Sequence, residues 1–100
     1  MKKSEIFAGI LADVSAETEL DAGLILSDSR VEEVVDARYL VIFLLLGNGF
    51  YCRMIAERMG MTQRAVHKAA AGFAARLSGS PGLRLVCDRV ARKWMPGNSR

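Results

Sequence analysis

The chain has 100 residues, of which 51% are hydrophobic and 25% are charged, and its formal net charge is +3. These proportions are typical of one soluble globular domain whose core needs no disulfide or metal staples. The longest uninterrupted apolar run, residues 39–46, is far too short to cross a bilayer, so we expect no membrane-spanning segment among these residues.

Cysteine usage and the first residues both favour a cytoplasmic protein. Cys52 and Cys87 lie far apart beside apolar neighbours, a pattern that suits reduced thiols better than a disulfide framework. The first residues lead into an amphipathic segment without the continuous apolar core of a signal peptide. Two isolated cysteines and a single histidine give no zinc-ligand cluster, so we expect no metal and no cofactor.

Charge is unevenly distributed along the chain. Residues 1–36 carry three basic and nine acidic residues, a net charge of −6. Residues 37–100 carry eleven basic and two acidic residues, a net charge of +9. A segment this basic predicts a surface for a polyanion, with nucleic acid favoured over a membrane. The alternative is a solvated surface that is basic without a partner.

Helical periodicity without any alternating strand pattern predicts an all-α fold, a compact bundle of about five to six helices. A first amphipathic helix is expected from about Ser4 to Glu17. Asp21 then fits the N-cap of a short helical turn over residues 22–26. Because the connections are short, residues 1–95 are expected to form a single domain, followed by a frayed tail over residues 96–100.

A polar break at residues 27–30 precedes the third helix, which should begin near Val31 or Glu32. Its residues 39–46 are apolar on every side, and such a helix must be surrounded by others. The segment 47–49, Gly-Asn-Gly, ends it. This helix is therefore predicted to form the centre of the core.

The most informative stretch covers residues 52–77 and has the spacing of a helix-turn-helix. This motif needs a small residue where its helices cross, a residue that tolerates positive φ in the turn, and an aliphatic residue within the second helix. Ala56, Gly60 and Val66 supply these in order. Thr62 fits the N-cap of the second helix, and its hydroxyl can also donate to a phosphate.

The second helix of this pair separates an apolar face from a polar one. Its inward face is formed by small and apolar residues: Val66, Ala69 or Ala70, Phe73 and Leu77. The opposite side of its first two turns carries four polar or basic residues: Gln63, Arg64, His67 and Lys68. In a helix-turn-helix this half of the second helix enters the major groove of double-stranded DNA. Arginine and lysine there can donate to guanine, and glutamine can pair with adenine.

Other residues extend or qualify this predicted DNA surface. Arg53, at the start of the first helix of the pair, is expected to contact phosphate, and Arg76 is a weaker candidate of the same kind. His67 is either a DNA contact or an incidental surface histidine. The alternative interpretation of the whole stretch is a helical hairpin within a bundle, since helical pairs joined by glycine are common.

A last helix is predicted from Ser80-Pro81, an N-cap followed by proline at the first helical position. Its apolar stripe consists of Leu83, Val86, Val90 and Trp94. We expect the stripe to pack against the domain's own core. The alternative is a homodimer contact through this helix, since two-fold helix-turn-helix proteins bind paired half-sites.

The residues upstream of the motif add a family resemblance. Residues 24–30, Leu-Ile-Leu-Ser-Asp-Ser-Arg, and residues 34–40, Val-Val-Asp-Ala-Arg-Tyr-Leu, resemble the C-terminal DNA-binding domain of the bacterial replication initiator DnaA, a helix-turn-helix domain of the Trp-repressor type. The resemblance covers about residues 6–77. It implies that Arg30 reaches into the DNA minor groove and that Arg38 contacts DNA at the start of the long helix. Without the resemblance, Arg38 would be interpreted as a partly buried side chain.

Two departures limit what the resemblance implies. Where the family has Gly-Gly-Arg-Asp-His-Thr-Thr-Val, residues 60–66 are Gly-Met-Thr-Gln-Arg-Ala-Val, so the turn is one residue shorter and the base readers are replaced. Arg38 is followed by Tyr39 rather than by glutamine. We therefore expect DNA binding but not recognition of the family's usual origin sequence. These 100 residues contain no phosphate-binding Gly-x-x-x-x-Gly-Lys-Ser/Thr loop, so the ATPase module of a full initiator is not part of them.

The sequence thus predicts a non-enzymatic protein that binds double-stranded DNA sequence-specifically, in transcriptional control or as an accessory to replication. The second hypothesis is a protein-interaction module that kept the fold but lost DNA binding. Both the replaced signature and the acidic first third, which could dock a basic partner, motivate it. An enzyme is the least favoured class, because the sequence shows no paired carboxylates and no nucleophile–base arrangement.

Overall fold

Six α-helices joined by short turns make up the part of the chain that the computed structural model describes, residues 1–95. They are α1 (Lys3–Thr18), α2 (Ala22–Ile25), α3 (Glu32–Gly47), α4 (Cys52–Met59), α5 (Gln63–Gly79) and α6 (Pro81–Trp94). No strand occurs in that range, which confirms the predicted all-α class and the predicted number of helices. None of these helices has the length and apolarity needed to cross a membrane. The predicted frayed tail, residues 96–100, lies outside the described residues.

Local hydrogen bonds start three of the helices at the predicted positions. The side chains of Asp21, Thr62 and Ser80 each accept from a backbone N–H two or three residues later, at 2.9, 3.0 and 3.1 Å respectively. An acceptor at this position satisfies one of the N–H groups that a helix start leaves without an intrahelical partner. Such a cap stabilises a helix by about 1 kcal/mol. These starts are therefore fixed by residues adjacent in sequence.

Helix α3 is the centre of the fold, as its apolar sequence predicts. Leu40, Leu44 and Leu45 are fully buried, and the helix contacts each of the other five. It ends at Gly47, after which the Asn48 side chain donates to the carbonyl of Leu44 at 2.8 Å. The other helices are thus positioned by their packing on one central element.

The apolar stripe of α6 packs against the core, as predicted. Leu83 and Val90 are buried, and the indole N–H of Trp94 donates to the carboxylate of Asp13 on α1 at 2.7 Å. The Trp94 ring lies so close to Gly9 that a Cβ there would come within 2.5 Å of it, so the contact between α1 and α6 needs a glycine. The core therefore covers Leu83 and Val90, while Val86 and Trp94 at the edges of the stripe stay partly exposed.

Candidate nucleic-acid interface

Helices α4 and α5 are joined by a three-residue turn whose glycine adopts a left-handed conformation. Gly60 has φ 66° and ψ 35°, a region that residues with a Cβ reach only at a cost. Ala56 and Val66 are both buried, and Ala69 rather than Ala70 faces the core. These residues have the backbone conformation and the burial that their spacing predicted.

The outer side of the first two turns of α5 is exposed to solvent. Gln63, Arg64, His67 and Lys68 are all exposed. Within residues 1–95 none of the four forms an ion pair. Apart from Nδ1 of His67, which contacts Cys52, the hydrogen-bonding groups of this face are therefore available to a ligand.

The start of α4 lies beside the second turn of α5. The Sγ atom of Cys52 is 3.8 Å from Nδ1 of His67, and Arg53, the next residue of α4, is exposed. Tyr51, at the N-cap of α4, is 75% exposed and adds an aromatic ring to the same region. Sequence reasoning found Arg53 but missed the thiol–imidazole contact, because its partners are 15 positions apart and meet only when α4 packs against α5. Neither partner lines the cleft described next.

A cleft of about 370 Å³ lies between residues 26–30, the first half of α3 and the start of α5. Arg30, Arg38, Thr62 and Lys68 line it, so three separate segments bring basic or hydroxyl side chains to one place. Asp28 is the single carboxylate among the lining residues. The structure thus joins the two arginines that the resemblance singled out to the predicted DNA-reading helix.

Arg38 differs from the other predicted site residues because its side chain is buried, with 8% exposure. Its Nε donates to the carbonyl of Ile25 at 2.9 Å, which ties α3 to α2. Burial lowers the pKa of Arg38 and the nearby Asp28 carboxylate opposes that change, but the guanidinium stays charged. The position of Arg38 therefore fits the partly buried side chain that the residues alone predicted. It fits less well the exposed phosphate contact that the resemblance implied.

Arg76, the weaker phosphate candidate, is held within the fold. Its Nη1 lies 2.6 Å from Oδ1 of Asp36, and its guanidinium stacks 4.6 Å from the ring centre of Tyr39. Burial alone would lower the pKa of Arg76, but the hydrogen bond and charge of Asp36 outweigh it and raise that pKa. Arg76 is therefore not a free phosphate contact.

Two further ion pairs connect α6 to α1. Arg89 lies 3.3 Å from Glu17, and Lys93 lies 3.1 Å from Asp13. Every ion pair in residues 1–95 joins a basic residue of α5 or α6 to an acidic residue of α1 or α3. The acidic first third is thus partly neutralised inside the domain, away from the start of α5.

Comparisons with protein-family models, with curated proteins and with solved structures found no match to this chain. The resemblance to the DNA-binding domain of DnaA therefore rests on the residues quoted for it. Among residues 1–95, no three histidine, cysteine, aspartate or glutamate side chains come together as a metal site.

Proposed function

We propose that this protein binds double-stranded DNA sequence-specifically, with α4 and α5 as a helix-turn-helix, in transcriptional control or as an accessory to replication. The proposed contact region, called the α5 surface below, consists of Arg30, Arg53, Thr62, Gln63, Arg64, His67 and Lys68. The observation that carries the proposal is that these exposed side chains gather around the start of α5, while the ion pairs of the described residues all lie elsewhere.

The chemistry of the α5 surface matches what each part of a duplex offers. Arg64 and Lys68 donate to guanine, and Gln63 pairs with adenine, as the outer side of α5 enters the major groove. Arg53 and Thr62 bind phosphates, since a cation and a hydroxyl proton are the usual donors to the backbone. Thr62 is free to donate because its oxygen, and not its proton, is used in capping α5.

A mobility-shift selection from a randomised duplex library tests this proposal. We expect enrichment of one short sequence and an affinity that falls steeply as salt increases, because bound phosphates release counterions. A library that shows no enrichment, together with binding that is insensitive to salt, would contradict the proposal.

Two substitutions separate base reading from phosphate binding. Arg64→Ala should cost about 1–3 kcal/mol against the selected sequence and relax the preference at one base position. Arg53→Ala should weaken binding to all sequences alike and reduce the slope of log affinity against log salt by about one. Arg92→Ala is the matched control, because Arg92 is exposed on α6, a helix that makes no contact with α4.

The second candidate function, a protein-interaction module, is supported by a different surface. A cleft of about 300 Å³ between α1, α3 and α6 has an apolar lining that includes Leu20, Leu83 and Val86, and it carries the carboxylates of Glu17 and Glu33. This combination suits a basic, partly apolar peptide. A tight partner found by pull-down and size-exclusion chromatography, with no duplex affinity, would favour this function over DNA binding.

A further inference from the structure

The cleft between α1, α3 and α6, called the acidic groove below, is lined by carboxylates and by no basic side chain. Glu17, Glu33 and Asp36 supply the carboxylates, and the lining contains no lysine, arginine or histidine among residues 1–95. The fold already uses two of them, since Glu17 pairs with Arg89 and Asp36 pairs with Arg76. Glu33 is exposed and forms no ion pair within the same residues, so its charge is free for a partner.

Apolar side chains form much of the remaining lining. Leu83 is buried, whereas Leu20 and Val86 are only half-buried and keep part of their apolar surface in water. A turn at the end of α1 holds Leu20 at the groove: Glu19 has φ 58°, and the Ser15 hydroxyl donates to the carbonyl of Leu20. This left-handed conformation is unfavourable for a residue with a Cβ, and Glu19 is the one non-glycine residue of residues 1–95 that adopts it. Covering Leu20 and Val86 with an apolar side chain of a partner would be favourable.

The size of the acidic groove limits what can enter it. Its volume of about 300 Å³ admits about two side chains, since a cavity of about 150 Å³ already holds a benzene-sized molecule. The groove therefore suits a short stretch of polypeptide that inserts one apolar side chain and places a charged one beside Glu33.

We propose that the acidic groove binds an exposed segment of another protein in which an apolar residue lies close to a lysine or arginine. The apolar side chain packs on Leu20 and Val86, and the cation pairs with Glu33. Charge complementarity favours this partner, because the carboxylates attract a basic peptide and repel nucleic acid and anionic membranes. The inference rests on the second candidate function, for which it names the partner, and it holds whether or not the α5 surface binds DNA.

The acidic groove and the α5 surface share no residue, so both can be occupied at the same time. A duplex and a basic segment would then be held by one domain at separate places. The protein would in that case link a DNA site to a second protein, which goes beyond either candidate function alone.

A selection from a display library of short random peptides tests the groove on the whole chain. The Gly82→Leu variant serves for counter-selection, because Gly82 lines the groove and a Cβ there would meet no atom within 4 Å, so a larger side chain fills space without a clash. Gly79→Leu is the matched control, since Gly79 is equally open and does not line the groove. We expect the selected peptides to share an apolar residue close to a lysine or arginine.

A synthetic peptide of the selected sequence then locates and measures the binding. In the 15N-labelled chain, the amide signals of Leu20, Glu33 and Val86 should shift saturably. Glu33→Gln should weaken binding by about three- to tenfold, since it removes one charge beside the cation. Replacing the basic residue of the peptide by glutamine should cost a similar factor with the parent chain and little more with Glu33→Gln, because the two changes remove the same ion pair. Gly82→Leu should weaken binding by about tenfold or more, and Gly79→Leu should not.

Duplex affinity separates this inference from the proposed DNA binding. Gly82→Leu should leave duplex affinity unchanged, and Arg64→Ala should leave peptide affinity unchanged. Peptide binding without duplex binding would contradict the DNA proposal alone. Duplex binding without peptide binding would contradict the groove alone.

Three results would overturn the groove as a docking site. One is a selection that enriches no sequence over the Gly82→Leu counter-selection. Another is enrichment of acidic peptides, and the third is a set of amide shifts confined to the α5 surface. Thermal denaturation of each variant shows that it is folded, and exposed Glu33→Gln keeps the test decisive even if Gly82→Leu alters the start of α6.

Discussion

Arg64 and Arg76 belong to the same helix, α5, yet the fold uses them in opposite ways. Arg76, near the end of the helix, is bound by Asp36 and stacked on Tyr39. Arg64, in the first turn, is exposed and forms no ion pair within residues 1–95. The net charge of a segment therefore overstates the charge available to a partner. Some basic residues of α5 and α6 form ion pairs with acidic residues of α1 and α3 and are not free to bind another molecule.

The same contrast divides the whole domain into two faces. On the paired face, Asp36, Glu17 and Asp13 accept from α5 and α6 and help to attach those helices to α3 and α1. On the α5 surface, basic side chains from the 27–30 segment, α4 and α5 are left exposed. Substitutions on the paired face should therefore change stability, and those on the α5 surface should change binding.

The largest expected effect on stability comes from removing the carboxylate of Asp36 on the paired face. Asp36→Ala should lower the free energy of unfolding by about 1–3 kcal/mol, because half-buried Arg76 loses its charged hydrogen bond and keeps only Glu32, at 3.8 Å. Urea denaturation measures this, and duplex affinity should not fall. Glu57→Ala, which removes an exposed carboxylate from α4, should stay within about 0.5 kcal/mol of the parent. Equal losses in the two variants would remove the distinction between the faces.

The turn that positions the α5 surface is the next most sensitive place. Gly60→Ala should destabilise the protein by about 1–2 kcal/mol because alanine is strained at φ 66°, and the space around the position is open, so no clash contributes. Gly60→Asn is the matched control and should cost less, since asparagine tolerates this conformation. In thermal denaturation the parent protein should be the most stable, Gly60→Asn less stable, and Gly60→Ala the least stable. An alanine variant as stable as the parent would show that the turn relaxes to another conformation.

The two cysteines should report the two environments by their reactivity. Cys52 is partly exposed beside His67 of the α5 surface. Cys87 on α6 is 8% exposed, and burial, together with the charge of Asp88, raises the pKa of its thiol. An alkylating reagent at neutral pH should modify Cys52 about tenfold faster or more, as measured by peptide mass spectrometry. The rate at Cys87 should still increase at pH values where an ordinary thiol is already ionised, because a raised pKa delays formation of the thiolate. Equal rates in the folded protein would contradict the burial of Cys87.

The smallest effect is expected for the ion pair whose basic partner is the most exposed. Lys93→Ala should change the free energy of unfolding by less than about 0.5 kcal/mol, since the Lys93 side chain is largely exposed and Asp13 keeps its hydrogen bond from Trp94. Urea denaturation of the Lys93→Ala and Asp36→Ala variants under the same conditions compares their free energies of unfolding. A loss as large as that of Asp36→Ala would mean that exposure does not decide which ion pairs of the paired face stabilise it.

The sequence predicted the helices closely because their signals are local. Caps such as Thr62 and Ser80 act on N–H groups three residues away, and the left-handed conformation of Gly60 is a property of that residue in its own turn. The face of α5 that carries Arg64 and Lys68 also follows from helical periodicity alone. These features needed no knowledge of which helix packs on which.

The tertiary structure alone decided how each basic residue is used. Arg76 contacts Asp36, which lies 40 positions away in the sequence. Arg38 is buried and donates to the carbonyl of Ile25, while its Nη2 has no hydrogen-bond partner among the described residues. The cleft that joins Arg30 to Lys68 likewise exists only because the 27–30 segment packs beside α5. Sequence fixes the number of charges and the helix that carries each one. Whether a charge is neutralised, buried or free depends on contacts between distant segments, because only packing brings two charges close enough to interact strongly.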